Sequence, residues 1–90
     1  MSPRERSRDQ AIAVAFGDRV RAARQEAGLS QEALAEAARL HPTFVSNIER
    51  GYRVPSVPTL LRLATALGVP PSVLVDGIDL PVELSEGEDS

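Results

Sequence analysis

Apolar residues along the first third of the chain recur at helical spacing. Ile12, Phe16, Val20, Ala23 and Ala27 step by four, four, three and four and draw one stripe along a helix. Arg19, Arg21, Gln25 and Glu26 mostly take the other face, and Gly28 supplies the C-terminal stop. The stripe predicts a helix from about Asp9. Residues 1–8 (MSPRERSR) show no apolar periodicity and read as a flexible basic arm. A second helix is expected at once: Ser30 is a good N-cap, Glu32 sits in the first turn where the helix dipole favours it, and Leu34, Ala35 and Ala38 face inward. It cannot pass Pro42 uninterrupted, because proline disfavours helix at the residue before it. After a short connection through Arg39, Leu40 and His41, Pro42 opens a third helix to about Arg50, at a position where its missing N–H costs nothing. Gly51 ends it, and residues 52–56 form a loop. Ser56 can cap a fourth helix with Leu60, Leu63, Ala64 and Leu67 as its inner stripe and Gly68 as its end. Residues 72–76 are long enough for one short fifth helix, closed by Gly77. With no internal repeat and no credible strand pair, the chain is predicted to be all-α, with five short helices. Residues 9–78 form the domain, and residues 79–90 an acidic tail.

Ninety residues make one small domain. Aromatics are 3% of the chain (Phe16, Phe44 and Tyr52), so the core must be built from Leu, Val, Ile and Ala. A chain of this size buries roughly 60% of its unfolded surface, so nearly every apolar side chain must find a partner, and dimerisation would help. The absence of Cys excludes disulfides, thiolate zinc sites and a cysteine nucleophile. His41, the single histidine, excludes a two-histidine metal site or acid–base pair. No apolar run approaches the roughly 20 residues of a membrane span, and no signal-peptide stretch follows the start. The expectation is a soluble, cytoplasmic, non-enzymatic protein without metal or cofactor.

A net charge of −3, taken alone, argues against a nucleic-acid ligand; its distribution argues otherwise. All ten basic residues are Arg and all precede residue 63, so residues 1–69 carry +3 and the remainder −6. Within the basic part, Gln31, Ala35, Leu40, Val45 and Ile48 fall where two crossing helices must touch. That leaves Thr43, Ser46, Asn47 and Arg50 on the opposite side of the third helix. Short hydrogen-bonding side chains bordered by Arg suit the major groove of DNA, where Asn pairs bidentately with adenine and the Thr methyl meets thymine.

The run LSQEALA…VSNIERGYRVPSVPTLLRLATALGV resembles the helix-turn-helix family of phage repressors, Cro proteins and XRE-type bacterial regulators, over Phe16 to about Leu74. The fold implied is the five-helix lambda-repressor-like domain. Within the family, HPTFVSNIERG looks most like the controller proteins of restriction–modification systems and small standalone regulators. The resemblance implies that Gln31 hydrogen-bonds a DNA phosphate. It places Pro42, Thr43, Ser46 and Asn47 at base-reading positions, with Arg50 and Arg53 contacting phosphates. Arg24 and Glu49 match a pair that forms an internal salt bridge, and the C-terminal helices would build a two-fold dimer.

Three positions depart from the family pattern. Arg39 stands where glycine is usual and in a left-handed conformation would cost about 1 kcal/mol, unless the turn is rearranged; it is also a candidate phosphate contact. His41 replaces the usual Ser cap and is a poorer one. Pro42 has no polar group to offer a base, which leaves reading to Thr43, Ser46 and Asn47.

Blander readings stand beside these. Gln31 could be an ordinary first-turn residue, Thr43, Ser46 and Asn47 a solvated face, and Arg50 a complement to the helix C-terminus. The acidic tail could serve solubility, repel nonspecific DNA, or contact a protein such as RNA polymerase. Val69, Val73, Leu74, Ile78, Leu80 and Val82 exceed what so small a core needs and are candidate dimer-surface residues. The expected function is a homodimeric, sequence-specific regulator on a pseudo-palindromic operator. The alternative is an antitoxin-like or co-activator-like module whose main ligand is a protein.

Overall fold

A computed structural model describes residues 3–78, with side chains from Arg8 onward. Five helices follow one another among these residues, with no strand: α1 (Pro3–Glu26), α2 (Gln31–Ala38), α3 (Pro42–Glu49), α4 (Val57–Leu67) and α5 (Pro71–Val75). The chain is all-α, as its periodicity predicts.

Three of the short helices, α2, α3 and α4, start on a side-chain acceptor that takes up a main-chain N–H left without an intrahelical partner. The Ser30 hydroxyl accepts from the Ala33 N–H at 3.0 Å and opens α2. The Ser56 hydroxyl accepts from the Thr59 N–H at 3.4 Å and opens α4. His41 opens α3 in the same way, its Nδ1 accepting from the Thr43 N–H at 3.1 Å, with Pro42 at the first helical position. The α2–α3 turn keeps its left-handed residue: Arg39 has φ 61° and ψ 47°, and its N–H reaches back to the carbonyls of Ala35 and Glu36. A side chain therefore occupies a conformation that L-residues adopt at a cost of roughly 1–2 kcal/mol.

Two sequence expectations change. α1 begins at Pro3, so residues 3–8 have helical backbone where the pattern suggested an arm. Arg and Glu are good helix formers and Pro3 starts the helix where its missing N–H costs nothing, so propensity extends α1 beyond its apolar stripe. Leu74 is fully buried within the domain and is not a dimer-surface residue. Five-residue α5 turns it into the core, while Arg19 Nη1 donates to the Val73 carbonyl at 3.1 Å and ties α5 to α1. Leu80, Val82 and the acidic tail lie outside the described residues.

The core joins Phe16 and Val20 of α1, Leu34, Ala35 and Ala38 of α2, Val45 and Ile48 of α3, Leu63, Ala64 and Leu67 of α4, and Leu74. Gly17 sets how near α1 lies to α3, because a Cβ there would sit 2.2 Å from the Ile48 carbonyl oxygen. Gly51, at φ +78°, brings the chain leaving α3 against Val14, where a Cβ would meet the Val14 side chain at 2.8 Å. These two contacts fix the end of α3, and the loop after it, on α1.

Candidate nucleic-acid interface

α3 is amphipathic in the sense its sequence requires. Val45, Ile48 and Glu49 are buried, whereas Pro42 and Thr43 are exposed and Ser46 and Asn47 half-buried on the outer side. Arg50 and Arg53 follow, both exposed.

A carboxylate among buried apolar residues needs compensation, since an unpaired buried charge costs several kcal/mol. Glu49 is only 3% exposed and receives that compensation from three side chains on two helices. Arg24 of α1 grips it with a two-pronged fork, Nε donating to Oε2 at 2.6 Å and Nη2 to Oε1 at 3.0 Å. Gln31, the first residue of α2, donates from Nε2 to Oε1 at 3.0 Å. Arg21 stands at 3.6 Å from Oε1, and its Nη2 donates to the Glu49 main-chain carbonyl at 3.3 Å. Arg24 also donates through Nη1 to the Leu29 carbonyl at 2.9 Å, which ties the α1–α2 turn to the same cluster. Burial pushes the Glu49 carboxyl up, but the hydrogen bonds from Arg24 and Gln31 and the charges of Arg24 and Arg21 outweigh it and hold it below the usual carboxylate range. The hydrogen bonds that Arg24 donates to Glu49 raise its guanidinium further above its ordinary value.

This cluster does two things. It locks the C-terminal end of α3 to α1 and to the start of α2, so the two helices of the motif keep one mutual orientation. It also takes one amide hydrogen of Gln31 and leaves the second for an external acceptor, because a carboxamide nitrogen carries two donors.

The structure adds two aromatic residues that sequence reasoning did not assign. The Arg50 guanidinium lies 5.9 Å from the centroid of the Tyr52 ring, and that of Arg53 lies 6.0 Å from the centroid of Phe44. Tyr52 is 68% exposed, an unusual position for one of three aromatics in a small domain. For Tyr52 the available signal was its place between Arg50 and Arg53. Phe44, inside α3, gives no such signal until the loop is seen to fold back over it. Arg21 was also missed, because its distance from Glu49 in sequence hides their contact. Among the described residues, no cluster of His, Cys, Asp and Glu could hold a metal ion, and no helix is long and apolar enough to cross a membrane.

Comparison with known proteins gives the arrangement a family. The helix-turn-helix family HTH_3 matches residues 20–74, from the last two turns of α1 to α5. The chain is 42% identical over 66 residues to the control protein C.BamHI of Bacillus amyloliquefaciens, a match covering 72% of this chain and 82% of that protein. It is 42% identical over 59 residues to the immunity repressor protein of Bacillus phage phi105, covering 66% of this chain and 41% of the repressor. Among solved structures, the restriction–modification controller protein C.AhdI of Aeromonas hydrophila superposes with a TM-score of 0.68 at 45% identity. That match covers 69% of this chain and 94% of the controller. The chain thus belongs to the HTH_3 helix-turn-helix family, a family of DNA-binding transcriptional regulators and not of enzymes.

Proposed function

We propose that this helix-turn-helix regulator acts as a homodimer on a pseudo-palindromic operator, with α3 of each subunit in the major groove. Half-sites would then lie about one helical turn, roughly 34 Å, apart. The observation that carries the reading is the outer side of α3. Thr43, Ser46 and Asn47 are turned away from the core, with the exposed Arg50 and Arg53 beside them. Thr43, Ser46 and Asn47 read base edges, Asn47 with the bidentate geometry suited to adenine. Pro42 shapes the entry of the helix without a polar contact of its own. Gln31 offers its second amide hydrogen to a phosphate, and Arg50 binds the backbone at the helix end.

The similarity to C.BamHI, C.AhdI and the phage repressor supports control of transcription by occupancy of a promoter. The dimer surface includes Val69, Val73 and Ile78. Val73 is 42% exposed, while Val69 and Ile78 are partly buried against the core.

Selection of tight binders from random duplex DNA at physiological salt tests the proposal, because nonspecific affinity is weak there. The expected result is an enriched two-fold motif with half-sites about 10 base pairs apart. A single enriched half-site would remove the dimer, and no enrichment by folded protein would remove operator recognition altogether.

A further inference from the structure

We propose that Arg53 reads a guanine in the major groove, and that Phe44 positions it to do so. This rests on the proposed DNA-binding role of α3 and assigns one more contact to the same site. Arg53 follows the last residue of α3 by four positions, which by sequence alone puts it at the helix's C-terminal end among the phosphate contacts. The fold moves its charged group elsewhere. Its guanidinium lies 6.0 Å from the ring centroid of Phe44, which occupies the first turn of α3 directly after Thr43. The loop carrying Arg53 thus returns the guanidinium to the end of α3 that enters the groove in helix-turn-helix complexes. Arg50 makes the contrast. Its guanidinium rests 5.9 Å from Tyr52, two residues on, and so stays at the C-terminal end of the helix.

Three further observations favour a base contact for Arg53. Phe44 is half-buried and packed against the core, so the ring under the guanidinium is held in place by the domain and not by the loop. Among the described residues no carboxylate forms an ion pair with Arg53; the ion pairs seen are those of Arg21 and Arg24 with Glu49. A guanidinium held against a ring face keeps its planar fork of N–H donors free at the edge, and that fork matches the O6 and N7 acceptors of guanine. The remaining side chains of this end of α3 also leave a vacancy in chemistry. Asn47 suits adenine, Thr43 suits the thymine methyl, and the four positions Pro42, Thr43, Ser46 and Asn47 include no cation to read guanine.

The test repeats the random-duplex selection with the full chain and with Arg53→Ala, Arg53→Lys, Phe44→Leu and Phe44→Tyr. Far-UV circular dichroism confirms that each variant is folded. Arg53 is exposed, so its two variants keep the test open even if Phe44→Leu fails to fold. The expected result is a wild-type motif with a G·C pair in each half-site whose preference Arg53→Ala erases while the other positions persist. Affinity for the selected operator falls about 5- to 150-fold, the range for one lost bidentate pair, and affinity for an operator altered at that pair does not change. Arg53→Lys loses most of the same preference, Phe44→Leu weakens it at the same position, and Phe44→Tyr keeps it. If Arg53→Ala instead weakens binding to all sequences alike and reduces the salt slope by about one, Arg53 is a phosphate contact and the proposal is overturned. An unchanged base preference in folded Phe44→Leu overturns the positioning role. A wild-type chain that enriches no motif overturns operator recognition itself, an outcome distinct from both.

Discussion

The two sides of α3 are built from the same eight residues and do opposite work. The inner side places Val45 and Ile48 in the core and Glu49 in a fork of donors from α1 and α2. The outer side carries Thr43, Ser46 and Asn47, which are absent from the buried cluster. Burial commits the first side to stability and leaves the second free to be chosen for its ligand. Substitutions on the inner side should therefore appear in unfolding experiments, and those on the outer side in DNA binding. Gln31 would belong to both on the proposed reading, since one of its two amide hydrogens is held by Glu49.

The largest effect is expected at Glu49. Glu49→Ala leaves Arg24, whose side chain is 14% exposed, without its carboxylate, and should cost about 3–5 kcal/mol in urea unfolding. That is a large share of the stability of a small domain. A loss below about 1 kcal/mol would mean that packing, not the ion pair, joins α3 to α1. The same cluster predicts a pH dependence. Because the folded state holds the Glu49 carboxyl below its ordinary value, its contribution is complete above the usual carboxylate range. It is lost as pH falls through the lowered value. Acid unfolding of Arg24→Gln, followed by circular dichroism, should lack that steepening.

Leu74 and Val73 give a second pair of opposites on adjacent residues. Leu74→Ala opens a hole in the core and should cost about 2–5 kcal/mol. Val73→Ala, at an exposed position, should cost far less in unfolding and should instead weaken self-association in sedimentation experiments. Equal losses of stability from the two would undo the assignment of Val73 to an interface.

On the outer side, Asn47→Ala and Thr43→Ala should each weaken binding to the selected operator by about 1–3 kcal/mol while changing unfolding by less than about 0.5 kcal/mol. Titration of a labelled duplex against each variant separates the two quantities. A stability loss as large as the binding loss would place these residues with the inner side.

The sequence carried the parts of this architecture that depend on local chemistry. The apolar stripe of α1, the caps Ser30 and Ser56, proline at the start of α3 and glycine after α4 can each be read within a few residues. The Arg24–Glu49 pair came only through family resemblance, because residues 25 positions apart show no periodicity to connect them. What stayed hidden depends on tertiary placement. α1 runs on to Pro3 on propensity without apolar spacing, and the five residues of α5 are too few to show which side faces in, so Leu74 looked available for a partner. The seating of Arg53 on Phe44 requires the path of a loop that Gly51 presses against Val14.

The smallest expected effect concerns the turn between α2 and α3. Arg39 holds φ 61°, a conformation that costs an L-residue roughly 1–2 kcal/mol and costs glycine almost nothing. Arg39→Gly removes that strain but gives the unfolded chain more freedom, worth about 0.4–1 kcal/mol in the opposite direction. The difference favours the variant by about 0.5 kcal/mol, a rise in Tm of roughly 2–4 °C for a domain of this size. The turn geometry should not change, because the N–H of residue 39 still reaches the Ala35 and Glu36 carbonyls whatever its side chain. Operator affinity of Arg39→Gly then separates two uses of the side chain that leave the fold identical. Unchanged affinity in the stabilised variant means the strain serves no DNA contact. A loss accompanied by a smaller salt slope means that the strained turn is retained to present Arg39 to a phosphate.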